Sequence, residues 1–194
     1  MTRNATVERS TRETSVEVTL NLDGSGNARI NTGVGFFDHL LTSLSHPSRI
    51  DLDVSVDGAL PIDDHHTVED TALVIGDALA KALGDRVGIV RFADARVPMD
   101  EAVAEAVLDV SGRPYAVIDL PFTTERIGNL TSQNIPHALE AFTRTAGLTL
   151  HLSARGANDH HIAEAAFKAL ARALRAAVII DPRRTGVPST KGTL

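Results

Sequence analysis

The chain has 194 residues, of which 43% are hydrophobic and 23% are charged, and its net charge is −6. This length allows one ordinary domain or two small fused halves, and this balance is typical of a folded globular protein. The acidic charge argues against a nucleic-acid-binding surface, and no apolar run approaches the roughly 20 residues that a membrane span needs.

Two further features of the composition narrow the expected location and chemistry. The N-terminus lacks the apolar segment of a signal peptide, so we expect a cytoplasmic protein that binds neither nucleic acid nor membrane. The chain contains no cysteine, which excludes disulfides and zinc–thiolate sites. Any bound metal must therefore be held by imidazole and carboxylate groups.

The first half of the chain predicts two strands, a helix, a third strand and a second helix. Residues 15–22 alternate between polar and apolar, as a half-buried strand does, and residues 28–31 follow a glycine-containing turn and are predicted to return alongside it. A short helix is predicted from residue 36 to about 46, and a strand over 50–56. The long helix that follows is predicted to start at Asp64, a good N-cap residue.

The second half repeats this order after a predicted linker that extends to about Pro98. Strands are predicted over 102–110, 115–120 and 148–153, and helices over 132–145 and from Asp159 onward. We therefore expect an α+β fold of two duplicated β-β-α-β-α halves in one compact unit. The first half with its linker would cover 1–97, and the second half with a C-terminal tail would cover 98–194.

A histidine motif occurs at the start of the second predicted helix of each half. It is Asp-His-His-Thr-Val-Glu-Asp at 64–70 and Asp-His-His-Ile-Ala-Glu at 159–164. In a helix His65 and Glu69 share a face, whereas His66 is turned away by about 100°. A single pair of adjacent histidines more often lies on the surface or caps a helix. Two copies of the motif favour metal binding instead, with side chains that can bind two ions.

The first predicted helix of each half adds one more histidine, His39 and His137. His39 precedes His65 by 26 residues and His137 precedes His160 by 23 residues, so six of the eight histidines occupy matching places. Together with the two glutamates this makes eight candidate ligands: His39, His65, His66, Glu69, His137, His160, His161 and Glu164. Four such ligands on each of two ions leave positions open for substrate, which suits Mn²⁺ or Fe²⁺ better than structural zinc.

Basic and hydroxyl residues outside these motifs are suited to binding an anion. They are Arg91 after a glycine turn, Arg113 in a Ser-Gly-Arg-Pro turn, and Ser189 and Lys191 in the tail. Arginine and lysine are common phosphate ligands. Taken singly, each is more often a solvated surface residue.

With these residues in view, the chain resembles the imidazoleglycerol-phosphate dehydratase family of histidine biosynthesis. The resemblance extends over nearly the whole chain, from about residue 9 to 194. Besides the two histidine motifs, it rests on R-x-T-x-E-T at 9–14, F-D-H-L-L at 37–41, L-D-V-S-G-R-P-Y at 108–115 and P-S-T-K-G at 188–192.

The resemblance implies a fold of the ribosomal-protein-S5-domain-2-like kind, two Mn²⁺ ions per active site, and a homo-oligomer of 24 subunits whose active sites lie between subunits. One ion would be bound by His39, His66, His160 and Glu164, and the other by His65, Glu69, His137 and His161. Glu13 would be a substrate-binding and catalytic residue. Arg91, Arg113, Ser189 and Lys191 would contact the substrate and its phosphate, which makes the tail a substrate-binding segment.

The reaction implied is a hydro-lyase reaction, the loss of water from D-erythro-imidazole glycerol phosphate to give imidazole acetol phosphate. Two alternatives remain open from the residues alone. A dinuclear metallohydrolase acting on a phosphorylated metabolite would use the same ligands and release inorganic phosphate. An RNA-binding module related to ribosomal proteins fits the architecture alone, but it leaves the histidines unexplained.

Overall fold

The structure is a computed structural model that describes residues 3–58 and 60–194. The described residues form two four-stranded sheets, a two-stranded hairpin and four helices. The strands are β1 (Asn4–Ser10), β2 (Ser15–Asn21), β3 (Ala28–Asn31), β4 (Asp51–Asp57), β5 (Phe92–Met99), β6 (Ala102–Asp109), β7 (Tyr115–Asp119), β8 (Arg126–Ile127), β9 (Leu130–Thr131) and β10 (Thr149–Arg155). The helices are α1 (Gly35–Ser48), α2 (His65–Leu83), α3 (Asn134–Ala146) and α4 (Asp159–Val178).

The two sheets have the same topology, which confirms the predicted α+β fold with duplicated halves. The strand order is β1-β2-β4-β3 in the first sheet and β5-β6-β10-β7 in the second. In each sheet the first three strands of this order are antiparallel, and the fourth pairs in parallel with its neighbour. The hairpin β8–β9 occurs in the second half, between β7 and α3.

Each four-stranded sheet contains one more strand than the sequence predicted, because β1 and β5 were missed, and the hairpin β8–β9 was not predicted either. In β1 only Val7 is buried, so this edge strand has almost no apolar alternation. In β5 every second residue is half-buried, but none is fully buried, and the strand contains Pro98. An edge strand tolerates a proline because one of its sides forms no hydrogen bonds to a neighbouring strand. The predicted linker up to Pro98 is therefore wrong, and the expected boundary between residues 97 and 98 falls within β5.

The third strand of the first half also pairs differently from the prediction. β3 lies parallel to β4 and does not return alongside β2. The reason is Asp51, whose Oδ1 accepts hydrogen bonds from the backbone N–H groups of Ser25, Gly26 and Asn27 at 2.9, 3.0 and 2.9 Å. These bonds, led by the one from Asn27, lower the pKa of Asp51 despite the opposing effect of burial. They fix the turn beside β4, so β3 continues along that strand.

The helices pair across the two halves. α1 packs against α4, and α2 packs against α3, while each helix also contacts the sheet of its own half. Gly76 allows the close approach of α2 and α3, since a Cβ atom there would lie 2.5 Å from the carbonyl oxygen of Phe142. Leu40, Leu79 and Leu170 are fully buried in this shared core. No helix among residues 3–58 and 60–194 is long and apolar enough to cross a membrane.

Candidate metal centre and active site

The first candidate metal site lies between α1 and α4. His39 Nε2 and His160 Nε2 lie 3.0 and 3.1 Å from the same oxygen, Oε2 of Glu164. The other oxygen, Oε1, is 2.6 Å from Lys168 Nζ. Burial opposes ionisation of Glu164, but the hydrogen bonds from Lys168 and His39 outweigh it and lower its pKa to about 2. Glu164 is therefore an ionised carboxylate that faces two imidazole rings.

The second candidate site lies between α2 and α3. His65 Nε2 is 3.6 Å from Glu69 Oε2, and His137 Nε2 is 3.4 Å from Glu69 Oε1. The two rings are stacked, with centroids 4.9 Å apart and planes 20° apart. Asn134 Oδ1 lies 3.2 Å from His65 Nδ1, which leaves Nε2 as the nitrogen that faces the carboxylate. Arg144 approaches Glu69 Oε1 at 3.5 Å.

The start of α4 is held by side chains on either side of the histidine pair. Asn158 caps the helix, since its Oδ1 accepts a hydrogen bond from His160 N at 2.9 Å. The buried Asp159 carboxylate accepts hydrogen bonds from Thr123 N and Thr124 N at 2.9 and 2.7 Å. Burial alone would raise the pKa of Asp159, but the bonds from Thr124 and Thr123 lower it. The helix start is thereby fixed to the loop that follows β7.

The start of α2 is built in the same way, which corrects the prediction that Asp64 is a side-chain N-cap. Asp64 makes no capping hydrogen bond. Its carboxylate instead accepts hydrogen bonds from the N–H and hydroxyl groups of Thr131, both at 2.6 Å. Asp63 Oδ1 accepts the bond from His65 N at 2.9 Å. In both halves the aspartate of the motif therefore binds a threonine of a neighbouring segment. The residue directly before that aspartate accepts a hydrogen bond from the backbone N–H of the first histidine.

Neither predicted four-ligand set is complete within the described residues. Each set brings three ligands together, with one candidate atom of each residue within 4.8 Å of the others. The fourth ligands, His66 and His161, point to other neighbours. His66 Nδ1 lies 3.4 Å from Glu13 Oε2, and His161 Nδ1 lies 2.8 Å from Glu101 Oε2.

Glu13 lies in the turn between β1 and β2, which is anchored to α2. The hydroxyl of Thr11 accepts hydrogen bonds from the N–H groups of Glu13 and Thr14 at 3.1 and 3.0 Å. The hydroxyl of Thr14 donates to Asp70, and Arg9 forms an ion pair with the same carboxylate at 3.1 Å. The motif at 9–14 thus builds a turn that places an exposed glutamate beside His66.

Glu101, in the matching turn between β5 and β6, was not among the predicted site residues. Its hydrogen bond with His161 is the main cause that lowers the pKa of Glu101 to about 2 and also raises the pKa of His161. The signal that could have revealed it was the duplication itself, because Glu13 has the same position in the first half. That signal was hidden because β1 and β5 were not recognised as strands.

The predicted anion-binding arginines lie side by side. Arg91 is only 8% exposed, and its Nε and Nη2 donate to the two oxygens of Asp109 at 2.7 and 3.1 Å. Arg113, which is exposed, lies 3.5 Å from the same carboxylate. Asp109 therefore orients one arginine firmly and brings the second close to it.

The C-terminal tail lies against these arginines. Arg91 Nη1 donates to the carbonyl oxygen of Pro188 at 2.7 Å, directly before Ser189. The Ser189 hydroxyl accepts a hydrogen bond from Lys191 N at 3.2 Å, which turns the tail back on itself. The structure thus brings together Arg91, Arg113 and the segment that carries Ser189 and Lys191.

The residues of the two groups fit a first-row divalent metal. All the donors are imidazole nitrogens and carboxylate oxygens, which suit Mn²⁺, Fe²⁺ or Zn²⁺. Among the described residues, the buried nitrogens His66 Nδ1 and His137 Nε2 have no hydrogen-bond partner. Buried polar atoms of this kind are uncommon and require an explanation, which coordination of a metal would supply for these two imidazoles. Two imidazole–carboxylate groups at helix starts are therefore candidate metal-binding half-sites.

Comparison with known proteins shows the family to which the chain belongs. The family model described as imidazoleglycerol-phosphate dehydratase matches residues 32–174. The chain is 53% identical to the imidazoleglycerol-phosphate dehydratase of Acidiphilium cryptum (strain JF-5) over 196 residues, which cover 100% of both proteins. It is also 53% identical to the enzyme of that name from Agrobacterium fabrum, with 99% of this chain and 98% of the relative covered.

Solved structures of that enzyme have the same fold. The crystal structure of the Staphylococcus aureus dehydratase superimposes with a TM-score of 0.83 at 34% identity, covering 92% of this chain and 99% of the other. The Pyrococcus furiosus enzyme, solved in complex with (S)-C348, superimposes with a TM-score of 0.83 at 31% identity, covering 97% and 100%. The chain therefore belongs to the imidazoleglycerol-phosphate dehydratase family and is a lyase of histidine biosynthesis.

Proposed function

We propose that this enzyme removes water from D-erythro-imidazole glycerol phosphate to give imidazole acetol phosphate, in the cytoplasm and with two Mn²⁺ ions per active site. The observation that carries the proposal is the pair of imidazole–carboxylate groups at the starts of α2 and α4 in a chain of this family.

The proposed ligands of one ion are His39, His66, His160 and Glu164, and those of the other are His65, Glu69, His137 and His161. When bound, such ions supply Lewis-acid polarisation and a template for the substrate. The protein's contribution is to hold the ligands in place. The threonine anchors of Asp64 and Asp159 serve this role, because they fix the helix turns from which four of the histidines project.

The phosphate group of the substrate is proposed to bind between Arg91, Arg113 and the tail residues Ser189 and Lys191. Asp109 orients the two arginines, and a guanidinium held in this way loses less freedom when it binds an anion. Arg91 also holds the tail through Pro188. Binding energy from this remote group can then position the carbon atoms that react.

Glu13 is proposed to transfer the proton in the dehydration. Loss of water needs a proton removed from carbon and a hydroxide expelled from the neighbouring carbon, and the resulting enol becomes the ketone. Glu13 is an exposed carboxylate within 3.4 Å of a proposed metal ligand, His66, so it can reach a substrate bound there. Removing it should lower the catalytic rate by about 10²- to 10⁴-fold, as expected for a general acid or base.

Neighbouring copies are proposed to complete the active sites in a homo-oligomer, as the family's 24-subunit assembly would allow. Support comes from the two incomplete groups, since His66 and His161 point away from the ligands of their own chain. In this arrangement one copy contributes both its α1–α4 group and its His161 to a shared site. The neighbouring copy contributes both its α2–α3 group and its His66. The mass of the particle in solution, measured by light scattering, tests its size.

Mixed oligomers test whether the site is shared. His39→Ala and His65→Ala damage different groups, so each variant alone should be inactive. When the two variants are co-expressed and assembled at random, about a quarter of the shared sites should combine two intact groups and recover activity. No recovery in verified mixed particles would place both groups of one site on a single chain.

The reaction itself is tested with metal-stripped protein, followed for ketone formation with and without added Mn²⁺. We expect Mn²⁺ to restore turnover and His66→Ala to abolish it. His151→Ala, which changes an exposed histidine on β10, should leave turnover unchanged. Release of inorganic phosphate in place of ketone would favour the metallohydrolase, and a salt-dependent affinity for RNA would favour the RNA-binding module.

A further inference from the structure

The β1–β2 turn lies beside one histidine pair and the β5–β6 turn beside the other, and the two turns differ in one respect that bears on the proposed metal ligands. His66 and Glu13 are 3.4 Å apart, but His66 Nδ1 has no hydrogen-bond partner among the described residues. His161 and Glu101 form a hydrogen bond of 2.8 Å. Equivalent positions in the two halves thus hold one glutamate without a hydrogen bond to the neighbouring histidine and one with such a bond.

The hydrogen bond determines which nitrogen of His161 carries the proton. An ionised carboxylate can only accept hydrogen bonds, so Nδ1 of His161 must be the donor to Glu101. In the neutral ring Nε2 then has the free lone pair. Asp100 lies 3.6 Å from Nε2, with 77% of its side chain exposed. That separation exceeds a hydrogen bond, so this nitrogen stays available.

Glu101 is itself fixed by the loop that precedes α4. Its Oε1 accepts hydrogen bonds from Ala157 N at 3.2 Å and Asn158 N at 2.9 Å. Asn158 is also the residue that caps α4. One carboxylate therefore connects the β5–β6 turn, the helix cap and the imidazole ring, so it cannot rotate without breaking backbone hydrogen bonds.

We propose that Glu101 is a positioning residue that keeps His161 in the tautomer protonated at Nδ1 and so presents Nε2 as its metal-binding nitrogen. This proposal rests on the proposed function in one respect only, that His161 binds a metal. Hydrogen bonds of this kind from a ligand imidazole to a carboxylate set the tautomer and raise metal affinity. Glu13, which lacks such a bond, remains available for proton transfer.

The test uses Glu101→Gln in the full-length assembled protein. The amide oxygen can still accept the two backbone bonds, but the amide nitrogen can only donate to Nδ1, which drives the proton to Nε2. We expect calorimetric titration of the stripped protein to show Mn²⁺ affinity about 10- to 100-fold lower at one of the two sites per chain. Glu105→Gln, on strand β6 directly after the β5–β6 turn and paired with Arg96, should bind Mn²⁺ like the wild type.

A second measurement tests the proposal without a substitution at Glu101. Solid-state ¹⁵N NMR of histidine-labelled, metal-free wild-type protein at pH 8 should show His161 protonated at Nδ1 and unprotonated at Nε2. Its signals are assigned by their absence in His161→Ala. The opposite tautomer in the wild type would overturn the proposal even if Glu101→Gln failed to fold.

The outcomes also separate this proposal from the proposed reaction. Loss of Mn²⁺ affinity in Glu101→Gln supports the positioning role whether or not the wild type forms the ketone. Unchanged Mn²⁺ affinity with lost turnover would overturn it, because Glu101 would then act on the substrate directly. Unchanged affinity with unchanged turnover would also overturn it.

Discussion

The α1–α4 and α2–α3 groups contain the same types of ligand, but they are supported differently. Glu164 directs one oxygen to both imidazoles at 3.0 and 3.1 Å and uses the other for Lys168 at 2.6 Å. Glu69 divides its two oxygens between His65 and His137 at 3.6 and 3.4 Å, and its contact with Arg144 is 3.5 Å. The side chain of Glu164 is 9% exposed, whereas that of Glu69 is 26% exposed.

The two halves thus share their candidate ligands and their helix anchors, but the basic residues that contact the two glutamates differ. Lys168 lies on the same helix as Glu164, one turn away, and occupies an oxygen that the imidazoles do not need. Arg144 lies on another helix and competes with His137 for the same oxygen. We therefore expect the α1–α4 group to be the more rigid half-site, and the experiments below test that difference.

The largest effect should come from the ligand carboxylates. Glu164→Gln and Glu69→Gln should each lower turnover by about 10³-fold, because loss of a metal ligand removes several kcal/mol of transition-state stabilisation. Ketone formation and Mn²⁺ stoichiometry measure this. Glu140→Gln, an exposed change on α3, is the control. A variant of either ligand that kept two Mn²⁺ and full turnover would remove that glutamate from the site.

The helix anchors should have the next largest effect, and here the halves should agree. Asp159→Asn and Asp64→Asn should each lower the free energy of unfolding by about 2 kcal/mol, because charged acceptors of buried hydrogen bonds are lost. Urea unfolding of metal-free protein at fixed concentration measures this. Asp53→Asn, on a partly exposed ion pair, should change it by less than about 0.5 kcal/mol. A large difference between the two anchors would contradict their equivalence.

Lys168→Met should produce a smaller, pH-dependent loss. The folded pKa of Glu164 is about 2, below its ordinary value of 4.5, so its ionised form stabilises the fold above pH 4.5 and this contribution is lost as the pH falls toward 2. Lys168→Met raises the folded pKa. We expect a loss of about 1 kcal/mol at pH 6 that shrinks below pH 4.

The matched control for that experiment is Lys81→Met, which removes a helical ion pair with Asp77 of similar spacing but greater exposure. It should change stability by about 0.3–0.5 kcal/mol. If the loss in Lys168→Met stayed constant from pH 6 to pH 2, its origin would be packing of the lysine stem and not the charge on Glu164.

Arg144→Met should have the smallest effect. Its side chain is 60% exposed and 3.5 Å from Glu69, so we expect less than about 0.5 kcal/mol in unfolding free energy and at most a slight gain in Mn²⁺ affinity. A tenfold loss of affinity on titration would show that Arg144 supports Glu69 as Lys168 supports Glu164. The proposed difference between the half-sites would then be wrong.

The sequence was sufficient to predict the four helices and to single out the histidines and glutamates that the structure brings together in two groups of three. That these residues bind metal stays a prediction. Repetition of the histidine motif identified the starts of α2 and α4, and the matching offsets added His39 and His137. The apolar stripes of these helices have a strong period because one face is buried completely. The division of six of the candidate ligands into two groups of three could not be predicted from their spacing in the sequence, because it depends on which helices pack together.

What the sequence did not reveal depends on contacts between distant segments. β1 and β5 are edge strands: β1 has only two apolar residues, and β5 alternates but is only half-buried and contains Pro98, so neither was recognised. Asp64 has the ordinary pattern of a helix cap, but a threonine 67 residues away takes its carboxylate. Glu101 became visible only when the β5–β6 turn was placed beside α4. Which distant residues contact each other cannot be predicted from local sequence periodicity.

The pairing of helices across the halves has a consequence for the ancestry of the chain. Because α1 packs on α4 and α2 on α3, each half packs its helices against those of the other, and each three-residue group takes residues from both halves. A half-length precursor would have gained both the helix packing and the three-residue groups by association of two copies about a two-fold axis, each giving its first helix to the second helix of the other. Fusion would then have preserved a dimer interface as the core of one chain, and freed the two copies to diverge at Lys168 and Arg144.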